Sequence, residues 1–274
     1  MTIHYPANIP LGIFTLTGFG LAVLLAFLIA QVVTHHLLVE RGEDATPVGD
    51  LLFAAVVGGL LGAKIYYVIL VGDSAAIWSR SGFVFWGGLI GGIIAVVALI
   101  RIKRLPIMRL ADPAGISIAA AYAVGRTGCW AVGDDYGRPW NGPLAVSFPR
   151  GAPASTAGNM HEMFGVPIAP GTSPDTVLSV YPTQLFEIAL ALGMFGILWR
   201  MRHHKHAEGW LFGVYMVLAG IERFIIEFFR AKDDRFFGPL TIAQLLALAF
   251  IAAGVVWMQL RSGAARPALS PSRS

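Results

Sequence analysis

Seven apolar runs, each long enough to cross a bilayer, leave this chain little choice of fold. They lie near 11–34, 50–71, 83–101, 112–132, 181–200, 209–230 and 239–260. About 20 apolar residues carry a helix across the hydrocarbon core, where a single segment must satisfy its own backbone hydrogen bonds. Composition agrees, with 56% hydrophobic residues, 13% charged residues and a mean hydropathy of +0.67, far from the balance of a soluble domain. The fold class expected is all-α: a polytopic membrane protein with seven transmembrane helices. The 32 glycines suit close helix packing in lipid. A net charge of +4 does not point to nucleic acid, because the basic residues fall between apolar runs and form no continuous patch. The single cysteine, Cys129, excludes an internal disulfide and any multi-cysteine metal site.

Charge bias in the connections sets the expected orientation. With the N-terminus outside, Arg41, Arg101, Lys103, Arg104, Arg109, Arg200, Arg202, Lys205, Arg261, Arg266 and Arg273 are cytoplasmic. The other side then holds Arg80, Arg138, Arg150, Lys232 and Arg235. N-out, C-in follows. The N-terminal sequence lacks the basic start of a signal peptide and its apolar run is too long for one, so the first helix is expected to stay attached. Residues 1–262 read as one membrane domain that includes an outer loop at 134–180, rich in Pro, Gly, Ser and Ala. That loop has no apolar periodicity and reads as an irregular cap, most mobile at 151–175. Residues 263–274 read as a disordered cytoplasmic tail.

Charged residues inside apolar runs are expensive, so each demands a partner, a wet cavity or a function. Arg126 closes the fourth run. In the sixth, Arg223, Glu227 and Arg230 stand at i, i+4 and i+7, on one face of a continuous helix. Either these residues form a packing ion pair, or two or three arginines converge with too few acids to neutralise them and make an anion site. Arginine suits phosphate because its planar fork donates two parallel hydrogen bonds. Glu187 is the natural counter-charge for one arginine, or a neutral core carboxyl. Lys64 either snorkels to the interface or serves a site. Gly87, Gly88, Gly91 and Gly92 form overlapping GxxxG patterns, for helix packing or for baring backbone to a ligand. Asp134 and Asp135 are placed to pair with Arg126 or accept a proton, or are solvated loop acids. Cys129 is a nucleophile or an inert packing residue. His203, His204 and His206 read as a solvated basic loop.

Five blocks of the chain, in order, resemble bacterial prolipoprotein diacylglyceryl transferases. They are Gly62-Ala-Lys-Ile-Tyr-Tyr67, Gly87-Gly-Leu-Ile-Gly91, Gly125-Arg-Thr-Gly128 with Gly133 to Gly137, Tyr181-Pro-Thr-Gln-Leu-Phe-Glu187, and Arg223-Phe-Ile-Ile-Glu-Phe-Phe-Arg230. The resemblance covers residues 9 to 260 and implies seven helices with an outward-facing site in the bacterial cytoplasmic (inner) membrane. It implies transfer of diacylglyceryl from phosphatidylglycerol to the lipobox cysteine of a preprolipoprotein, releasing glycerol phosphate. Arg126 and Arg223 would neutralise the leaving phosphate, with Glu227 and Glu187 holding the arginines and Asp134 available for proton transfer. Substrate would be bound by Lys64 and Tyr66, by Gly87, Gly88 and Gly91, by Gly128 and Gly137, and by Tyr181, Gln184, Glu187 and Arg230. The partners implied are phosphatidylglycerol, the preprolipoprotein signal peptide with its lipobox, and membrane lipids, with no nucleic acid. No metal or organic cofactor is implied.

The chain departs from the family pattern where proton chemistry is concerned. Trp86 stands where the family carries His before Gly-Gly-Leu-Ile-Gly, and Tyr181 where the fifth-run motif begins with His. Phe14 stands near the place of a first-run Tyr, and Cys129 and Val132 replace two asparagines. Trp cannot take a proton, so if the family's histidine is its general base, this chain must use another group, such as Asp134, Asp135 or Tyr181, or do something else. The alternatives are a non-catalytic phospholipid-binding homologue in lipoprotein processing, or a transferase using the same donor and a different acceptor.

Overall fold

The computed structural model of the protein describes residues 1–3, 8–11, 14–79, 82, 84–231, 235–237 and 239–263. Residues 264–274 of the expected 263–274 tail lie outside them, as do Arg80, Lys232 and the side chain of Phe14. Eight α-helices are present among the described residues: α1 (Gly18–Glu40), α2 (Pro47–Val71), α3 (Phe85–Ile102), α4 (Ile107–Val132), α5 (Ala157–Glu162), α6 (Thr183–Arg200), α7 (Trp210–Ile226) and α8 (Ile242–Ser262). A 3₁₀ turn covers Ser74–Trp78. The all-α expectation needs a small amendment. β1 (Asn8–Leu11) pairs antiparallel with β2 (Phe14–Thr17), and β3 (Arg235–Phe237) with β4 (Leu240–Thr241).

Five of these helices, α1, α2, α3, α4 and α8, are long and apolar enough to cross a membrane. Many of their large apolar side chains point outward, Phe53 71% exposed and Ile69 69% among them, as a lipid-facing surface requires. The other two expected spans, α6 and α7, are 18 and 17 residues long and carry Gln184, Glu187, Glu222 and Arg223. These polar residues lower their hydropathy.

Helix ends depart from the apolar runs where local bonds decide them. The first run begins at 11, yet α1 starts at Gly18 because the Thr17 hydroxyl accepts the Gly20 N–H at 3.0 Å, capping the first turn. It continues past 34 to Glu40, burying Leu37 and Leu38. α8 starts at Ile242 behind a capping box between Thr241 and Gln244, with bonds of 3.2 and 3.1 Å. α7 was expected to continue to 230, placing Arg230 on the face of Arg223 and Glu227. Instead it ends at Ile226, with Glu227 as its C-cap. Beyond it the chain turns to pair with another segment: Arg138 N–H donates to Phe229 O at 3.0 Å, and Gly137 and Arg230 form an antiparallel bridge.

The chain divides into two compact units, residues 1–30 with 114–274, and residues 31–113. In the smaller unit α2 and α3 pack along a seam of glycines. A Cβ built on Gly62 would lie 2.3 Å from Gly87 O, and one on Gly91 would lie 2.4 Å from Gly58 O. Only bare backbone permits this approach, and van der Waals contact is what joins helices in lipid. An exposed Lys103–Asp50 ion pair ties the end of α3 to the start of α2.

The larger unit buries Ile116, Ala119, Leu198 and Leu211 among its helices. Its 134–180 connection, expected as an irregular cap, has a core of its own. Ile3, Tyr136, Val146, Phe148, Met160, Val180 and Ala231 cluster there, and Tyr136 stacks on Phe148 with ring centroids 5.5 Å apart. Within the stretch expected to be most mobile, Thr156 caps α5, and Ser155, Ala157 and Met160 are buried.

Candidate active site

Three helix ends of the larger unit meet: the C-terminal turns of α4, the first turns of α6 and the last turn of α7. α4 brings Tyr122, Arg126 and Cys129 to one side through i, i+3 and i, i+4 spacing. α6 contributes Thr183, Gln184 and Glu187, and α7 contributes Glu222, Arg223 and Glu227. The turn 133–137 after α4 adds Asp134 and Asp135. Thr183 Oγ1 donates to Asp135 O at 2.6 Å and Gln184 Nε2 to Asp134 O at 2.7 Å, so the turn is pinned to the start of α6. A positive N-terminal dipole therefore faces the two aspartates, while Arg223 sits at the negative C-terminal end of α7.

Each nitrogen of the Arg126 guanidinium is engaged. Nη2 meets Glu187 Oε1 at 2.5 Å, Nη1 meets Asp135 Oδ2 at 2.8 Å and Cys129 Sγ at 3.2 Å, and Nε donates to the Tyr122 hydroxyl at 3.2 Å. Arg230 Nη2 reaches Asp135 Oδ1 at 3.0 Å, so one carboxylate bridges two arginines. Arg223 Nη2 stands 2.7 Å from Glu227 Oε2, and Arg230 Nε lies 4.0 Å from the same oxygen. Glu187 is fully buried and Glu227 nearly so, and burying either without its arginine would cost several kcal/mol, about 3–5 for a broken buried pair. The expectation of too few acids is therefore corrected. Asp134, Asp135, Glu187, Glu222 and Glu227 converge on Arg126, Arg223 and Arg230, because Glu222 joins the carboxylates weighed from the sequence.

The two aspartates are held oppositely. Burial works to raise Asp135, but the charges of Arg230 and Arg126 outweigh it and hold the carboxyl below the usual carboxylate range. Burial raises Asp134, the neighbouring Asp135 charge adds to this, and the result lies above the ordinary value despite the Asp135 N–H donating to Oδ1 at 2.7 Å. Asp135 thus behaves as a fixed counter-ion and Asp134 as the readier proton acceptor. Asp135 also holds φ at +56°, a left-handed conformation that Asp tolerates better than most residues. Asp135, not Asp134, makes the pair with Arg126 that the sequence left open between them.

Other expected site residues have different surroundings. Gly137 packs against backbone and side chains of neighbouring segments, and a Cβ there would fall 2.4 Å from Phe229 O and 2.7 Å from Tyr181 Cβ. Tyr181 stacks on Trp140 at 4.3 Å with rings 8° apart, and its edge meets Phe229. Gly128 lies close to Ala22 and Phe19 of α1. Gln184 is buried, and its Oε1 has no hydrogen-bond partner among the described residues. Lys64, Tyr66, Gly87, Gly88 and Gly91 belong to the smaller unit. Lys64 does not snorkel to water: it is 9% exposed, and its ammonium donates to Ser79 O at 2.7 Å and to Ser79 Oγ at 2.9 Å. The glycines there face α2, which covers the backbone that the sequence left open to a ligand. Tyr122 and Glu222 were missed. Their signal was present, a tyrosine four residues before Arg126 and an acid inside an apolar run.

Among known proteins, a family model described as prolipoprotein diacylglyceryl transferase matches residues 6–260. A relative from a Nostoc species, named phosphatidylglycerol–prolipoprotein diacylglyceryl transferase, is 30% identical over 275 residues, covering 93% of this chain and 90% of its own. A relative of the same name from Clostridium tetani is 27% identical over 248 residues, covering 87% and 90%. One from Burkholderia thailandensis is 28% identical over 299 residues, covering 96% and 97%.

Proposed function

The chain belongs to the prolipoprotein diacylglyceryl transferase family, and from that membership we infer that it is a membrane transferase moving diacylglyceryl from phosphatidylglycerol to a prolipoprotein. The acceptor atom is the thiol of the lipobox cysteine behind the signal peptide. The enzyme lies in the bacterial cytoplasmic membrane with seven spans, N-terminus out and C-terminus in, its site at the outer interface. α6 and α7, roughly 25 Å long at 1.5 Å per residue, complete the seven spans. The convergence of Arg126, Arg223 and Arg230 at three helix ends is the observation that carries the site assignment.

In this reading the thiol gives its proton to Asp134, and the sulfur attacks the carbon of the diacylglyceryl moiety that carries the phosphate oxygen. That carbon–oxygen bond breaks, its electron pair passes to the phosphate oxygen, and glycerol phosphate leaves. A thiol of pKa about 8.5 is mostly protonated at neutral pH, so an acceptor for its proton is needed. Asp134 is favoured over Asp135 because its carboxylate is not locked between two guanidiniums. Arg223, with 35% of its side chain exposed, presents donors to the incoming phosphate, while Arg126, 15% exposed, is set by its carboxylates. Tyr181, Gly137, Gln184 and Arg230 shape the head-group side of the site. The orphaned Gln184 Oε1 offers an acceptor to a glycerol hydroxyl.

The test is transfer of labelled diacylglyceryl from phosphatidylglycerol to a lipobox peptide by the purified protein, with Arg126→Ala as control. Thioether formation that disappears in the variant supports the reading. Phosphatidylglycerol binding without transfer would replace it with the lipid-binding alternative.

A further inference from the structure

The Tyr122 hydroxyl lies between two buried carboxyls. Its oxygen is 3.3 Å from Glu187 Oε1 and 3.4 Å from Glu222 Oε1, and it accepts from Arg126 Nε at 3.2 Å. A phenol has one proton to give, so it can serve one of these carboxyls at a time. Glu187 is compensated when ionised, since Arg126 Nη2 stands against its Oε1. Among the described residues, Glu222 has Tyr122 as its one hydrogen-bond partner and forms no ion pair. It is 7% exposed and faces Glu187, itself fully buried, across a single phenol. An ionised Glu222 would leave two carboxylates competing for one hydroxyl proton. A protonated Glu222 settles the count: its O–H donates to Tyr122, the Tyr122 O–H donates to Glu187, and Glu187 receives Arg126.

We infer that Glu222 is a neutral carboxylic acid in the resting enzyme and that, through Tyr122 and Glu187, it positions Arg126. The inference rests on the reading that Arg126 serves the phosphate. The groups facing Glu222 are Tyr122 and Arg126 on α4 and Glu187 on α6, and its own helix adds Arg223 and Tyr215. Loss of the Glu222 proton would turn the phenol toward Glu222 and away from Glu187. It would also put a second negative charge beside Glu187, drawing the guanidinium off its setting. Transfer is therefore expected to weaken on the alkaline side through a residue that never touches substrate.

The test compares full-length wild type with Glu222→Gln, Glu222→Ala and Tyr122→Phe in phosphatidylglycerol-containing nanodiscs, following transfer to a lipobox peptide against pH. Rates are taken as ratios to wild type, which cancels ionisation of the acceptor thiol. Glu222→Gln keeps a neutral donor, so it should retain activity near neutrality and gain on wild type as pH rises. Glu222→Ala and Tyr122→Phe should each lose about tenfold, one hydrogen bond's worth of positioning. Infrared spectra should show the carbonyl stretch of an un-ionised carboxylic acid in wild type that is missing from Glu222→Gln. A ratio that stays flat with pH, a glutamine variant as weak as the alanine one, or a carbonyl band that survives Glu222→Gln overturns the inference. If Arg126→Ala remains active while that band persists and vanishes in Glu222→Gln, the reading of Arg126 fails and the protonation of Glu222 stands.

Discussion

Replacing Arg126 by lysine keeps the charge and removes the geometry, which makes it the sharpest test of the site. The guanidinium meets Glu187 at 2.5 Å, Asp135 at 2.8 Å and the Tyr122 hydroxyl at 3.2 Å from three different nitrogens. An ammonium is a single point on a flexible stem, and from one position it cannot stand against both carboxylates and the phenol. Two hydrogen bonds to charged groups are forfeited, each worth about 1.5–3 kcal/mol. The retained charge still offsets Glu187, so the helices should assemble. If half of the loss falls on the transition state, about 1.5–3 kcal/mol, kcat/KM drops roughly 10- to 150-fold. The assay is the initial rate of thioether formation on a lipobox peptide over a range of phosphatidylglycerol mole fractions. Size-exclusion profile and thermal midpoint report whether the fold is kept. An Arg126→Lys enzyme with normal elution and a rate within twofold of wild type would refute the argument that fork geometry matters.

Three further outcomes follow from the same contacts. Asp134→Asn should flatten the acid limb of the transfer profile. That limb lies above the ordinary carboxylate value of about 3.9 because the folded carboxyl is raised, and a variant with the limb unchanged would remove Asp134 as the base. Asp135→Asn tolerates the left-handed backbone but cannot bridge two guanidiniums, and should lower the thermal midpoint by an amount corresponding to about 2–4 kcal/mol at neutral pH. Because the folded pKa of Asp135 is depressed, its stabilisation is full above the unfolded value and lost as pH falls through the folded one, so wild type and variant should converge only in strong acid. Gly62→Ala should cost about 1–3 kcal/mol of thermal stability by forcing α2 from α3, since its Cβ would fall 2.3 Å from Gly87 O, and an unchanged midpoint would contradict the seam.

Lipid as solvent made the helices legible, because an apolar run of spanning length has few other fates. Their ends were not legible where a bond to a distant segment decides them. Arg223–Glu227 could be foreseen from i, i+4 spacing, and Glu187 from the cost of an unpaired acid in an apolar run. Arg230 was placed on the same helix face, but pairing of the Gly137–Arg138 segment with Phe229 and Arg230 ends α7 first, and Arg230 reaches Asp135 from a turn. The choice between Asp134 and Asp135 was equally invisible. It depends on a left-handed residue and on Thr183 and Gln184 holding the backbone from 48 and 50 residues away. Tyr122 escaped because an aromatic inside an apolar run reads as packing until its hydroxyl is seen between two carboxyls, whereas Glu222 carried the same signal as Glu187, an acid in an apolar run, and was overlooked.

An anion site with more acids than bases has a chemical logic in the proposed reaction. With Glu222 neutral, Asp134, Asp135, Glu187 and Glu227 face three arginines, so the resting site is slightly negative before phosphatidylglycerol arrives. The lipid is already concentrated in the membrane, and tight head-group binding would bring little. Uniform affinity for substrate and transition state does not raise turnover. Charge grows during the reaction, when the phosphodiester becomes a glycerol phosphate monoester. In the same step Asp134 loses its negative charge to the thiol proton. The arginines thus face one carboxylate fewer as the phosphate gains its charge, which strengthens them in the transition state rather than the ground state. When Asp134 sheds the proton afterwards, the doubly charged product sits among four carboxylates, and repulsion favours its release to water. The surplus acids therefore oppose tight binding at both ends of the cycle and oppose it least in the transition state between them.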